Sequence, residues 1–408
     1  MNKPLVSSQL RAPHAGAMFL NVTETRDKVS VTRTMEFDGQ NIYFRVTGPV
    51  LPAPLGVWDF AVIAAIFTAM RKGLPLHVLG PVSTSLLRNL EEFQDAWATW
   101  MPEHYQVVPI TADEEVEPTV LNEAQDGVFA FSGGLDATFS LLQHIQAKVG
   151  RRTVKPVAAV LIQGFDLPLG NDIALSNARK SAETILASTE VPLTFVETNW
   201  KRDLCYNWSM EHATGLAACL NQFNGVANIA VIGGDEGYDE ICLPWGSNPI
   251  SNPLLSSNAM PFRTEGGAST RSERLAFIAE HTDLAPHIRV CWEAADTGTN
   301  CGTCGKCIRT QINFHAVGIK PTGFKKIAGF WRIAFIPSRS LGDNYFLKEA
   351  QKAAGRRGIY GWWRVACFIG MVKNFILSPV ILAKNKLKYR LRQNERVFKL
   401  LKGMRRDA

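Results

Sequence analysis

Two clusters in this chain of 408 residues combine side chains that do chemistry. The first is Phe131-Ser132-Gly133-Gly134-Leu135-Asp136-Ala137-Thr138. An apolar run (Val128–Phe131) leads into it and a helical pattern (136–148) leads out. Glycines in such a place let the main chain approach a ligand closely, and the unpaired amides of a helix start attract an anion. No Gly-Lys-Ser/Thr follows, so this is not the P-loop of ordinary NTPases, and the spacing is not that of a dinucleotide fingerprint. The second cluster is Cys291-x9-Cys301-x2-Cys304-x2-Cys307, four thiols within 17 residues, interleaved with Gly302 and Gly305. Tetrahedral Zn²⁺ takes four such ligands at about 2.3 Å, and CxxC turns present two sulfurs to one metal. A structural Zn²⁺ is the expectation, with an iron–sulfur cluster the other occupant that four cysteines suit. Cys205, Cys219, Cys242 and Cys367 stand apart and read as packing residues.

Other residues offer weaker signals. Gly233-Gly234-Asp235-Glu236 ends an apolar run, and Asp235 and Glu236 either hold Mg²⁺ through carboxylate oxygens or form a solvated acidic turn. Gly164-Phe165-Asp166 follows another run, and Phe165 packs either on a ligand or in the core. His212, near Lys201 and Arg202, is a candidate substrate or phosphate ligand or simply a helix-start histidine.

The elements that must position these groups follow from periodicity. Alternation over 29–47, broken by Asp38-Gly39, predicts a β-hairpin. Helical spacing follows from Asp59 to Gly73, then a strand over 76–79, a helix capped by Ser83, and a strand over 107–110. The acidic Asp113-Glu114-Glu115 with Pro118 reads as a boundary loop. From Gly127 on, apolar runs at 128–131, 157–162, 193–197 and 229–232 alternate with helical patterns at 136–148, 172–187 and 208–222. Buried parallel strands alternating with helices predict an α/β fold with a doubly wound parallel sheet, whose ligands gather at the carboxyl ends of the strands. The expected division is an N-terminal α/β accessory domain (1–125), a core with a zinc lobe (126–320) and a basic, aromatic-rich helical tail (321–408).

Composition sets the class. At 46% hydrophobic and 20% charged residues the chain is an ordinary folded protein rather than a disordered one. Its net charge of +7 is uneven. From Lys348 onward 16 Lys/Arg face 3 Asp/Glu, whereas the rest carries 28 against 34. The tail therefore decides any attraction to acidic partners. It places Trp362, Trp363, Phe368 and Phe375 before basic residues interleaved with Leu387, Leu391, Phe398 and Leu401. An interfacial membrane helix, a docking surface for a partner protein or a second subunit, an RNA-binding arm and a solvated basic helix all fit that pattern. Eight cysteines are too few for a disulfide scaffold. The first twenty residues show no secretory signal, and the stretch 359–383 is interrupted by Arg364, Lys373 and Pro379, well short of the ~20 apolar residues of a membrane span. A cytoplasmic protein, peripheral at a membrane surface at most, is the expectation.

The loop from Ser132 to Thr138 resembles the SGGxDS motif of the PP-loop family, the N-type ATP pyrophosphatases, with Ala137 where the family has Ser. The resemblance implies an adenine nucleotide alpha-hydrolase-like fold that grips the pyrophosphate of ATP while a substrate oxygen attacks the α-phosphorus. It implies that Ser132, Gly133, Gly134 and Thr138 bind phosphate oxygens and that Asp136 orders Mg²⁺ or the loop. By the same likeness Gly164 and Phe165 stand where relatives recognise adenine, and Asp235-Glu236 is similar to the GxDE stretch of asparagine-synthetase-type domains. A PP-loop followed by the four cysteines and Arg309 resembles the 7-cyano-7-deazaguanine synthases of queuosine biosynthesis, and Arg271-Ser272-Glu273 resembles their Arg-x-Glu. The likeness spans about residues 126–318, and is weakest at Gly233–Glu240 and Trp245–Pro249. Lys306 and Arg309, tied to the cysteine loop, would neutralise the leaving pyrophosphate, since the glycine loop has no lysine.

The function expected is a ligase: ATP- and Mg²⁺-dependent adenylation of a small-molecule carboxylate or amide, then attack by ammonia or an amine. The alternatives are a PP-loop RNA thiolation enzyme and a catalytically silent nucleotide-binding regulator or scaffold. A homodimer is compatible with either.

Overall fold

The computed structural model describes residues 16–118, 125–280, 283–291, 293, 297–336, 343–380 and 382–383. Ten strands form one sheet in the order β10-β9-β6-β7-β8-β3-β2-β1-β4-β5. In chain order the first are β1 (Met18–Arg26), β2 (Ser30–Phe37), β3 (Gln40–Thr47), helix α1 (Asp59–Lys72), β4 (Leu76–Ser83), α2 (Thr84–Trp100) and β5 (Ile110–Val116). Then follow β6 (Asp126–Ala130), α3 (Leu135–Ile145), β7 (Lys155–Gln163), α4 (Asp172–Leu186), β8 (Leu193–Thr198), α5 (Trp200–Asp203) and α6 (Trp208–Asn221). β9 (Ile229–Gly233), β10 (Phe262–Glu265) and α7 (Arg271–Ala279) complete this part.

Five strands, β10, β9, β6, β7 and β8, run parallel, as their continuous apolar runs require. Val128, Ala158, Val160, Val196 and Val231 are all fully buried. The chain winds outward from β6 through β7 to β8, then returns through α6 to place β9 on the opposite side of β6. The order therefore reverses between β6 and β9, the place where an open α/β sheet leaves a crevice at its carboxyl edge.

The predicted hairpin is β2–β3, and its turn has positive φ at both Asp38 (54°) and Gly39 (70°), the backbone that a two-residue hairpin turn needs. β1, for which no pattern was evident, pairs antiparallel with β2. The acidic stretch 113–115 is not a boundary loop. It is the outer half of β5, the sheet's edge strand, exposed on both faces, where charge discourages pairing with another chain. Ser83 does precede α2, but its hydroxyl donates to Asp59 (2.6 Å) instead of capping. Glu117 takes over, accepting from Ser85 N (2.9 Å) and Ser85 Oγ (2.8 Å).

The expected divisions after 125 and 320 are not where the chain separates. β3 pairs antiparallel with β8 from Phe44↔Thr198 to Thr47↔Phe195, so the N-terminal block continues the sheet of the core. Trp200 Nε1 donates to Ala64 O (2.9 Å) and Arg33 to Gln222 O (2.9 Å), tying the two blocks through one shared core. The chain resolves into two compact units, Met1–Thr299 and Asn300–Ala408.

The second unit has α8 (Gly305–Ala316), α9 (Phe330–Ala334), α10 (Asp343–Arg356) and α11 (Trp362–Ile376). These pack around Ile308, Ile312, Ile333, Leu347, Trp363 and Cys367. α11 buries Trp363, Ala366, Cys367 and Gly370 on one face and exposes Val365, Phe368 and Phe375 on the other. Leu387, Leu391, Phe398 and Leu401 lie outside the described residues. Among those described, no helix is long and apolar enough to cross a membrane.

Candidate functional site

The glycine loop leaves the carboxyl end of β6 and enters α3 at Gly134. Gly133 has φ +68°, a conformation that favours glycine, and Ser132 is exposed with its Oγ accepting from Gly134 N (3.2 Å). No side chain caps the first turn of α3. The end of β9 abuts this turn: a Cβ at Gly233 would stand 2.6 Å from the main chain of Asp136. The two glycine-bearing segments singled out from the sequence thus meet at the sheet's switch point.

Asp136 is clamped by two arginines of α7. Its Oδ2 accepts from Arg271 Nη1 and its Oδ1 from Arg274 Nη1, both at 2.6 Å. Arg274, only 1% exposed, also donates to Gly234 O (2.5 Å), Gly266 O (2.9 Å) and Ser269 O (3.1 Å). It fastens the loop after β6, the end of β9 and the turn after β10 to one guanidinium. Of the two roles expected for Asp136, ordering the loop is the one its partners serve. Arg271, expected at the nucleotide, spends a donor on Asp136. Glu273 of the same tripeptide forms a capping box with Thr270.

Thr138 does not reach the loop surface. It is wholly buried, and its Oγ1 has no hydrogen-bond partner. One residue further along a helix is a turn of about 100°, so the hydroxyl at 138 points away from the half-exposed Ala137 and cannot replace the serine that relatives carry there.

Arg289 holds the loop as well. Its main-chain N donates to Gly133 O (2.7 Å) and its Nε to Ser132 O (3.2 Å). Burial pushes the guanidinium pKa down, opposed by the charges of Asp166 and Cys291. Neither Arg274 nor Arg289 was singled out from the sequence. Arg274 was within reach, since it follows Arg271 by three on one helix and so shares its face. Arg289 lies in no periodic pattern.

At the ends of β7 and β8 the expected adenine-side residues are used by the protein itself. Gly164 has φ +104°, and a Cβ there would sit 1.8 Å from Thr198 O, so close chain packing explains the glycine. The Phe165 ring lies 5.0 Å from Trp208 and 6.0 Å from Trp200, while its carbonyl accepts from Lys201 Nζ (2.9 Å). His212 Nδ1 contacts Trp208 O (3.1 Å) within α6, and its Nε2 stands 3.7 Å from Asp235. Arg202 pairs with its neighbour Asp203 (2.7 Å). Asp235 accepts weakly from Trp245 Nε1 (3.4 Å), and Glu236 from Cys242 N (3.0 Å). Burial raises the Glu236 pKa, the Cys242 amide lowers it and the Asp235 charge raises it again. Both carboxylates border a small, open surface cleft beside Ser247, Asn248 and Thr264. Among the described residues they form no group of three ligand atoms close enough to one another to share an ion, although His212 stands near Asp235.

The four cysteines do converge. The Sγ atoms of Cys291, Cys301, Cys304 and Cys307 all lie within 4.8 Å of one another. Cys301 and Cys307 are 3.9 Å apart, close to the edge of about 3.8 Å for a tetrahedron with 2.3 Å metal–sulfur bonds. Amides support the sulfurs: Thr303 N and Cys304 N donate to Cys301 Sγ (both 3.3 Å) and Cys307 N to Cys304 Sγ (3.4 Å), which favours thiolates. A side chain at Gly302 would strike Lys326 O at 1.8 Å, so the CxxC turn needs this glycine. The group is able to hold a metal ion. Of the outlying cysteines, Cys205, Cys219 and Cys367 are buried as packing residues, whereas Cys242 is exposed. On α8, Arg309 lies over the Phe346 ring at 4.6 Å, and Lys306 sits in the first turn.

No family model, curated protein or solved structure matches this chain.

Proposed function

We propose that the protein is a PP-loop ATP pyrophosphatase acting as a ligase. A carboxylate or amide oxygen of a small molecule attacks the α-phosphorus of ATP, pyrophosphate leaves, and ammonia or an amine then displaces AMP from the activated carbon. The observation that carries this is the two-glycine loop at the switch point, opening an uncapped helix where an α/β sheet collects its ligands. The chain's part in such a reaction is positioning and charge stabilisation. Ser132, Gly133 and Gly134 would hold phosphate oxygens, Asp136 would keep the loop in shape through Arg271 and Arg274, and Lys306 and Arg309 are the proposed partners of the departing charge. Asp235 and Glu236 are the carboxylates proposed for Mg²⁺, the ion that would screen the phosphates.

For the cysteine group we propose Zn²⁺. Mutual separations under 4.8 Å suit four ligands on one ion, whereas a multinuclear cluster spreads its cysteines over separate irons. Zinc here would be structural, since four protein sulfurs leave no open position. Peripheral contact with a membrane surface or a partner protein is a separate proposal, favoured by the exposed Phe368, Phe375 and Ile376 of α11.

The deciding experiment incubates the protein with Mg²⁺, ATP labelled at the α-phosphate and a fractionated metabolite extract. Labelled AMP that depends on one fraction and is lost in Ser132→Ala is the expected result. Labelled ADP would mean a different cleavage and sink the proposal. ATP binding without either product would favour the silent scaffold, and AMP formed only with RNA would favour thiolation.

A further inference from the structure

The glycine loop lacks the lysine that other phosphate-binding loops carry, yet a largely buried cation is held against it. Arg289 is 7% exposed. Its Nε–H donates to Ser132 O and its main-chain N–H to Gly133 O, so the guanidinium is fixed at the loop. Nη1 and Nη2 make no hydrogen bond or ion pair with a described residue, and neither is fully buried, so the tip of the fork meets solvent. The nearby carboxylate, Asp166, acts on this charge through space but forms its ion pair with Lys201 (3.8 Å). Four of the five guanidinium N–H donors are thus left to water and are open to an anion at the loop. The neighbouring anion-attracting feature is the uncapped start of α3, an eleven-residue helix, in which Gly134 packs 3.4 Å, measured from a Cβ built on it, from Arg289 O.

We propose that Arg289 is a ligand for a polyphosphate anion seated on Ser132–Gly134, giving it the bidentate grip of a guanidinium on two phosphate oxygens. This deepens the adenylation reading and rests on it: the anion would be the pyrophosphate portion of a nucleoside triphosphate. Arg289 then supplies the positive charge at the loop itself, separate from Lys306 and Arg309 on α8. A planar fork suits two oxygens of one anion in a way that a lysine does not.

The test measures calorimetric binding of inorganic pyrophosphate, ATP and adenosine to the full chain, to Arg289→Met and to Arg289→Lys. Expected is pyrophosphate binding by the unaltered protein, at least tenfold weaker binding of pyrophosphate and of ATP by Arg289→Met, partial recovery in Arg289→Lys, and unchanged adenosine binding. A second measurement needs no variant: phenylglyoxal labelling of the unaltered protein, with the modified arginines located by mass spectrometry. Saturating pyrophosphate should slow labelling of Arg289 several-fold. Equal pyrophosphate affinity in Arg289→Met, or labelling of Arg289 indifferent to pyrophosphate, overturns the inference. If Arg289→Met does not fold, the labelling decides. Unchanged AMP formation by Arg289→Met would remove this role while leaving the adenylating activity standing. Pyrophosphate held through Arg289 without AMP formation would do the reverse. Failure of the unaltered protein to bind either anion would end both.

Discussion

Asp136 is the residue on which the loop's geometry turns, because its two oxygens satisfy guanidiniums from two successive positions of one helix face. Removing it strands Arg274, 1% exposed, with carbonyl partners and no opposing charge. Asp136→Ala should therefore cost about 3 kcal/mol, read as a fall in the denaturant midpoint, with Asp136→Asn costing less. An unchanged midpoint in both would show that the clamp holds nothing. A second residue gives a pH signature. His144 is 2% exposed, accepts from Val154 N (3.0 Å), and has its pKa lowered to about 4 by burial first and then by Arg152 and Arg263. The unfolded chain takes up this proton near the ordinary value of about 6.5, the folded one only near 4. Its contribution is thus fully present above 6.5 and is lost as pH falls from there toward 4, on the order of 3 kcal/mol. His144→Gln should flatten that part of the stability–pH curve, and a variant as steep as the parent would refute the assignment.

At the scale of elements, the cysteine loop and α11 make contrasting predictions. The amides of the 301–307 turn point at sulfur, and Cys304 N-caps α8 through its own Sγ. A turn built around a metal folds with it. Elemental analysis of Cys304→Ser should find the metal largely gone and the melting temperature lowered, and a chelator should do the same to the parent. A metal-free variant with unaltered melting would exclude a structural ion. α11 divides into a packing face and an exposed one. Trp363→Ala, at 3% exposure, should cost about 3–5 kcal/mol, whereas Phe375→Asp, at 76% exposure, should move stability by less than about 0.5 kcal/mol. If Phe375→Asp also abolishes binding to anionic vesicles, that face is the membrane contact. If Phe375→Asp destabilises as much as Trp363→Ala, the face is not free.

For the whole sheet the governing fact is continuity. The β3–β8 ladder and the packing of α1 on α6 make residues 16–116 part of the structure that carries the loop. A chain beginning at residue 126 would expose the edge of β8, the buried Trp200 and the α6 face. It should aggregate or lose cooperative unfolding. A truncated chain that melts in one sharp transition would show that the N-terminal block is dispensable after all.

The order of strands and helices from 127 to 233 was legible because buried parallel strands are short apolar runs and the helices between them keep a 3.6-residue period. The hairpin was legible because Asp-Gly is chemically suited to positive φ at both turn positions. The glycine loop and the four cysteines were legible because each is a matter of local spacing, which sequence records directly. The joining of the N-terminal block to the core was not, since pairing between Phe44 and Thr198 spans over a hundred residues and leaves no local mark. β5 was misread for a related reason: an edge strand wet on both faces over part of its length can be as acidic as a loop. Nor could sequence reveal that Arg271 and Arg274 close on Asp136, that Thr138 turns inward, or that Arg289 reaches the loop. Which backbone approaches which is set by the packing of distant elements, and only the tertiary structure decides where a charge ends up buried and what it faces.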